Sequence, residues 1–116
     1  MKILIAEDDS GILQMMKLRL KKEGYDIVIA ENGKDAIQQI DETHPDIIIT
    51  DIMMPYNSGI EVLSFAKARN KKTKVIVLSL MGQENVILEA FQLGADDYII
   101  KPFGLNELVA RVNRLL

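Results

Sequence analysis

Residues 45–51 read Pro45-Asp46-Ile47-Ile48-Ile49-Thr50-Asp51. Pro45 biases the residue before it away from helix, so the helical pattern that precedes it ends there. Three isoleucines in succession leave no polar face, as expected of a central parallel strand covered on both sides. The run then ends abruptly on a carboxylate. Two other aliphatic runs end the same way on charge: Ile3-Leu4-Ile5-Ala6 leads into Glu7-Asp8-Asp9, and Tyr98-Ile99-Ile100 into Lys101. If these are parallel strands of one sheet, their charged ends meet at its carboxyl edge, where open α/β sheets place ligands.

Outward from that strand, apolar runs alternate with helix-period segments along the whole chain. Strands are expected at Lys2–Glu7, Tyr25–Ala30, Asp46–Asp51, Lys74–Ser79 and Asp96–Lys101. The first helix starts at Asp9 or Ser10, repeats Ile12, Met15, Met16 and Leu20, and stops at Gly24. The others fall at Lys34–Glu42, Ser58–Asn70, Gln83–Leu93 and Leu105–Leu116. Val62, Leu63, Phe65 and Ala66 mark the buried stripe of the third helix; Leu105, Leu108, Val109, Val112, Leu115 and Leu116 mark that of the last. Five βα units in a row predict a doubly wound parallel sheet, in a single domain over residues 1–116.

Composition narrows the function. The 116 residues are 48% hydrophobic and 27% charged, ordinary values for one globular domain. Without cysteine there is no disulfide, thiolate metal site or thiol nucleophile. The apolar runs are strand-length, too short for a membrane span, and the N-terminus lacks a secretory pattern, so a cytoplasmic location is expected. A net charge of −3 and the lack of a long basic block give no attraction for nucleic acid. Lys71-Lys72-Thr73-Lys74 reads as a solvated turn.

The chemistry follows from the residue types. Glu7, Asp8 and Asp51 are hard oxygen donors, suited to Mg²⁺ that keeps several waters and shares a phosphate oxygen. Asp51, on the central strand, is the best nucleophile, because carboxylates form aspartyl phosphates. Lys101 offers a point charge to phosphoryl oxygens, and Ser79, at the end of the fourth strand, a hydroxyl. Such a site works by positioning and charge neutralisation. Taken singly, each residue has a plainer reading as a cap, turn or loop residue. Their joint arrival at the ends of four strands outweighs it.

These segments together resemble the receiver domains of two-component response regulators, of the CheY-like kind. The resemblance spans the chain and rests on Ile3–Asp9, Asp46–Pro55 with Gly59, Val77-Leu78-Ser79 and Gly94–Phe103. It implies strand order 2-1-3-4-5, Asp51 as phosphoacceptor, Asp8 as direct Mg²⁺ ligand, Glu7 as its partner through water, and a backbone carbonyl from Met53. It further implies Ser79 and Tyr98 as a switch pair, Lys101 as the phosphate-pairing lysine, and a cis bond to Pro102. The implied partner is a sensor histidine kinase or phosphotransfer protein. The implied role is a signalling domain rather than an enzyme, catalysing only its own phosphotransfer and slow autodephosphorylation.

The C-terminal segment resembles the winged-helix OmpR/PhoB-type transcription factors, which implies a two-fold dimer through the fourth helix, fifth strand and fifth helix. The matching positions are Asp96, Asp97, Glu107, Arg111 and Arg114, with Ile87 where that subclass has a basic residue. Glu107 and Arg111 are equally an i,i+4 pair within one helix, contributing ~0.2–0.5 kcal/mol. Leu80 replaces the family's small residue after Ser79, and is expected to restrict access to Asp51. Among other classes, a flavodoxin-type flavin module needs phosphate donors where Glu7-Asp8-Asp9-Ser10 stands. A haloacid-dehalogenase-type phosphohydrolase has an Asp-x-Asp that Asp51-Ile52-Met53 lacks. A pseudo-receiver, acting as a phosphate-independent interaction module, is the nearer alternative.

Overall fold

The computed structural model describes residues 1–116. Its elements are β1 (Lys2–Ala6), α1 (Ser10–Lys22), β2 (Asp26–Ala30), α2 (Gly33–Thr43), β3 (Ile47–Asp51), α3 (Gly59–Arg69), β4 (Lys74–Leu80), α4 (Glu84–Gln92), β5 (Asp97–Lys101) and α5 (Leu105–Arg114). All ten expected elements are present. Boundaries shift by one or two residues: Tyr25, Asp46 and Asp96 precede their strands, and Leu80 extends β4. No helix is long and apolar enough to cross a membrane.

The five strands are parallel in the expected order, β2-β1-β3-β4-β5. β3 is central because it is apolar throughout. Ile47, Ile48 and Ile49 pair with Ile3, Leu4 and Ile5 on one side and with Lys74, Val75 and Ile76 on the other. Alternation along the strands divides the core in two. Leu4, Ile48, Val75 and Val77 meet Ala36 and Ile40 of α2, Val62, Leu63 and Ala66 of α3, and Ala90 of α4. Ile3, Ile5, Ile47, Ile49, Ile76 and Leu78 meet Leu13, Met16 and Leu20 of α1, with Leu108, Val109 and Val112 of α5.

Local chemistry fixes where helices begin. Asp9 Oδ1 accepts the Ile12 N–H at 3.1 Å, and Asn32 Oδ1 the Asp35 N–H at 2.8 Å. Ser58 and Glu61 form a reciprocal capping box, at 3.3 and 3.2 Å. α4 and α5 have no side-chain cap. Instead, Gln83 turns back to accept the Leu80 N–H at 2.6 Å, bridging the β4–α4 loop.

Ile49 is fully buried in the α1/α5 layer. Ile49→Ala is expected to lower the unfolding free energy by about 2–5 kcal/mol, read as a lower urea midpoint at unchanged slope.

Candidate functional site

The order of the strands reverses direction between β1 and β3, and the crevice at that point is lined by the residues that follow them. Glu7 and Asp8 leave the end of β1, Asp51 ends β3, Ser79 is the penultimate residue of β4, and Lys101 ends β5. The carboxylate oxygens of Glu7, Asp8 and Asp51 include one atom from each that lie within 4.8 Å of one another. Lys101 Nζ reaches into the same space, 2.5 Å from Glu7 Oε1 and 2.8 Å from Asp51 Oδ2. Thus the structure brings Glu7, Asp8, Asp51 and Lys101 together, with Ser79 near the same edge of the sheet.

Their exposures differ, and the difference assigns them different work. Glu7 is fully buried, Ser79 and Asp51 are buried, and Asp8 is open to solvent. Glu7 Oε2 accepts the Asp9 N–H at 3.2 Å, and Asp51 Oδ1 accepts the Met53 N–H at 3.3 Å. Glu7 Oε1 has the ammonium of Lys101 beside it as an ion pair but no well-directed hydrogen bond, and Ser79 Oγ has no partner at all. Orphaned buried oxygens are rare and costly. Here both belong to the same crevice.

Burial raises the Glu7 carboxyl to about 7, with the neighbouring charge of Asp51 adding to the rise; Lys101 and the Asp9 N–H oppose it. For Lys101, burial disfavours the ammonium, but the hydrogen bonds and charges of Asp51 and Glu7 outweigh it and raise the group above its usual range. The crevice therefore has more carboxylate than one lysine neutralises. A hard divalent cation fits this donor set: two buried carboxylates and one exposed one, convergent, with room on the solvent side for water. Glu7, Asp8 and Asp51 would hold it.

The residues around the crevice carry less expected features. Tyr98 is half-buried, with its ring edge-to-face against Phe91 of α4 at 5.8 Å between centroids. No sequence signal marks Phe91 as its neighbour. Leu80 is exposed and lines a cavity of about 450 Å³ with Ile12, Met15, Met16 and Phe103, beside Lys101. Met53 is exposed. The Lys101–Pro102 bond is cis, as the resemblance implies.

The residues expected on a shared dimer face divide. Asp97, Glu107, Arg111 and Arg114 do cluster, but within one protomer. Buried Asp97 accepts from Arg111 Nη1 at 3.2 Å and from Arg114 Nη2 at 2.8 Å, while Glu107 pairs with Arg111 Nε at 3.2 Å. Asp96 is placed elsewhere: just before β5, its carboxylate binds Lys67 Nζ of α3 at 3.0 Å and the Val75 N–H at 2.8 Å. Ile87 lies on the inner side of its helix. It is buried with Ala90, three residues on, because the i,i+3 spacing puts both on the inner face of α4. Leu88 and Phe91 are the large apolar residues that α4 exposes.

A family model, Response regulator receiver domain, matches residues 3–113. The transcriptional regulatory protein ResD of Bacillus subtilis (strain 168) is 41% identical over 115 residues, which cover 99% of this chain and 48% of that protein. The chain thus spans about half the length of this curated relative. Among solved structures, the receiver domain of the Francisella response regulator 1452 is 39% identical, covering 98% of this chain and 94% of that one, with a TM-score of 0.89. The chemotaxis response regulator CheY4 of Vibrio cholerae, 27% identical over 99% of this chain and 98% of that one, superposes with a TM-score of 0.92. With a parallel five-stranded sheet in the order of that CheY-like fold, an acidic crevice at its carboxyl edge and a family match across nearly every residue, the chain belongs to the response regulator receiver domains of two-component signalling.

Proposed function

We propose that this receiver takes a phosphoryl group from the phosphohistidine of a sensor histidine kinase or phosphotransfer protein onto Asp51. The observation that carries this reading is the pairing of Asp51 with Lys101 at 2.8 Å beside two further acids. An Asp51 carboxylate oxygen attacks phosphorus, the bond from phosphorus to the imidazole nitrogen breaks, and that nitrogen leaves with its electron pair. Lys101 turns from Asp51 Oδ2 to a phosphoryl oxygen, keeping its charge paired throughout. Asp8, Asp51, Glu7 and the Met53 carbonyl would hold Mg²⁺, which when bound would neutralise the carboxylates and the incoming phosphoryl oxygens. Nothing in this scheme needs a separate general acid or base. Water attacking the same phosphorus later returns Asp51, so the domain acts as a timer on its own modification, and bulky Leu80 slows that return by restricting access.

The aspartyl phosphate adds acceptor oxygens next to the unpartnered Ser79 hydroxyl. Movement of Ser79 towards them opens space for Tyr98, whose ring then leaves its contact with Phe91, and the α4–β5–α5 surface changes. Similarity to a transcriptional regulator over half that protein's length supports an output in cytoplasmic transcriptional control, through a following domain. Dimerisation through this surface has a cost here, since Asp97 already holds both arginines within the protomer. Cross-pairing must share or exchange those bonds, so the unphosphorylated dimer is weak.

Incubation with acetyl phosphate and Mg²⁺ is expected to add one phosphoryl mass to the wild type and none to Asp51→Asn or to the metal-free protein, measured by intact-mass spectrometry. Absence of any adduct would favour a phosphate-independent interaction module.

The proton on Glu7 sets a second expectation. Its folded pKa, about 7, lies above the ordinary 4.5, so between those values the native state binds more protons than the unfolded chain. The stability this gives is complete below pH 4.5 and is lost as pH rises through 7. Without metal, thermal stability should therefore fall from pH 5 to pH 8. Glu7→Gln should remove that decline, stabilising the metal-free protein at pH 8 and changing it little at pH 5. A wild-type melting temperature that is flat over this range would sink the idea.

A further inference from the structure

The loop between β3 and α3 is pressed by two glycines, and neither has a left-handed backbone. They are glycines because of what lies against them. A Cβ on Gly59 would stand 2.1 Å from the Asp51 carbonyl oxygen, so α3 starts directly on the backbone of the strand end. The second glycine comes from another part of the chain. Gly33, the first residue of α2, would put a Cβ 1.7 Å from the Asn57 carbonyl oxygen and 2.5 Å from its carbon. Its own N–H donates to the Pro55 carbonyl at 3.3 Å.

α2 therefore holds the loop at Pro55 and Asn57, and the residue between them shows the effect. Tyr56 has φ 69° and is 80% exposed. A bulky side chain disfavours the left-handed region, and an exposed ring gains little burial to offset it. The conformation is imposed by the neighbours, as strained residues at functional sites are. From the other side the loop is tied to α3, where Asn57 Nδ2 donates to Glu61 Oε2 at 3.0 Å. At its start the Met53 N–H is bonded to Asp51 Oδ1. The clamped segment is thus the one that carries the Met53 backbone past the acidic crevice.

We infer that Gly33 is a positioning residue for the acidic site: by admitting α2 against Pro55 and Asn57 it fixes the β3–α3 loop, and with it the Met53 backbone beside Asp51. The inference rests on the reading of Glu7, Asp8 and Asp51 as a Mg²⁺ site. Any side chain at position 33 must push the Asn57 carbonyl away, since the obstructing atoms are backbone. The loop then gives way, and the Met53 carbonyl moves relative to the carboxylates. By linkage the effect runs both ways, so metal bound at the crevice must also tighten the contact at Gly33.

The test is Mg²⁺ titration by calorimetry on the wild type, Gly33→Ala and Ile40→Ala, the last a buried position on the same helix away from the loop. Gly33→Ala is expected to weaken Mg²⁺ binding about tenfold, and Ile40→Ala, though also less stable, to stay within about twofold. Equal affinity in wild type and Gly33→Ala overturns the inference and leaves the metal site standing; a wild type that binds no Mg²⁺ overturns both. Should Gly33→Ala fail to fold, amide exchange in the wild type decides. Saturating Mg²⁺ is expected to slow exchange at the Gly33 N–H about tenfold, and an unchanged rate refutes the coupling.

Discussion

The ammonium of Lys101, 2.5 Å from Glu7 and 2.8 Å from Asp51, is the contact on which the charged end of this sheet depends. Two carboxylates withdrawn from water repel each other and lose hydration, and only an opposite charge or a proton offsets this. Glu7 shows the strain of that balance by holding its proton to about 7. Everything about the crevice follows from having one cation too few. Its convergent carboxylates would suit a divalent ion, and it has a hydroxyl, Ser79, without a partner.

The remaining charged groups are handled in the opposite way. Asp96 is saturated by Lys67 and a backbone N–H, and Asp97 by two arginines and the N–H of Tyr98. These bonds join β5 to α3 and α5 and leave nothing in need of a ligand. Charges are paired along β5 and left incompletely satisfied in the crevice at its end. The β3–α3 loop belongs with that place. It is held by close backbone contacts at Gly33 and Gly59, with Ile52 and Met54 packed into the core beneath it. Between those contacts Tyr56 keeps a conformation it would not choose alone.

Much of this was legible in the residues because short-range rules govern it. An unbroken Ile47-Ile48-Ile49 run can only be a strand covered on both faces, and alternation with helix-period segments sets the parallel topology. Once the strands are parallel, Glu7, Asp51, Ser79 and Lys101 arrive at one edge because each lies at or next to the carboxyl end of its strand. Ser58 with Glu61 and Asp9 before α1 announce helix starts through capping, which is local chemistry.

Contacts between distant segments were decided only by the tertiary structure. Glu107 and Arg111 are visible as a helical pair, but nothing near Asp97 in sequence reveals that both Arg111 and Arg114 close on it. Asp96 and Asp97 are adjacent, yet the pleat sends one towards α3 and the other towards α5. Ile87 faced inward because of where α4 settles on the sheet, and Phe91 met Tyr98 for the same reason. Gly33 gives the clearest case, since Asn32-Gly33 reads as an ordinary helix start and its need for glycine arises from a carbonyl 24 positions away, Asn57. The sequence determined which groups reach the carboxyl edge, because strand direction and side-chain period are local properties; only packing decided which of them stay unpaired, because a charge is satisfied by whatever the fold brings beside it.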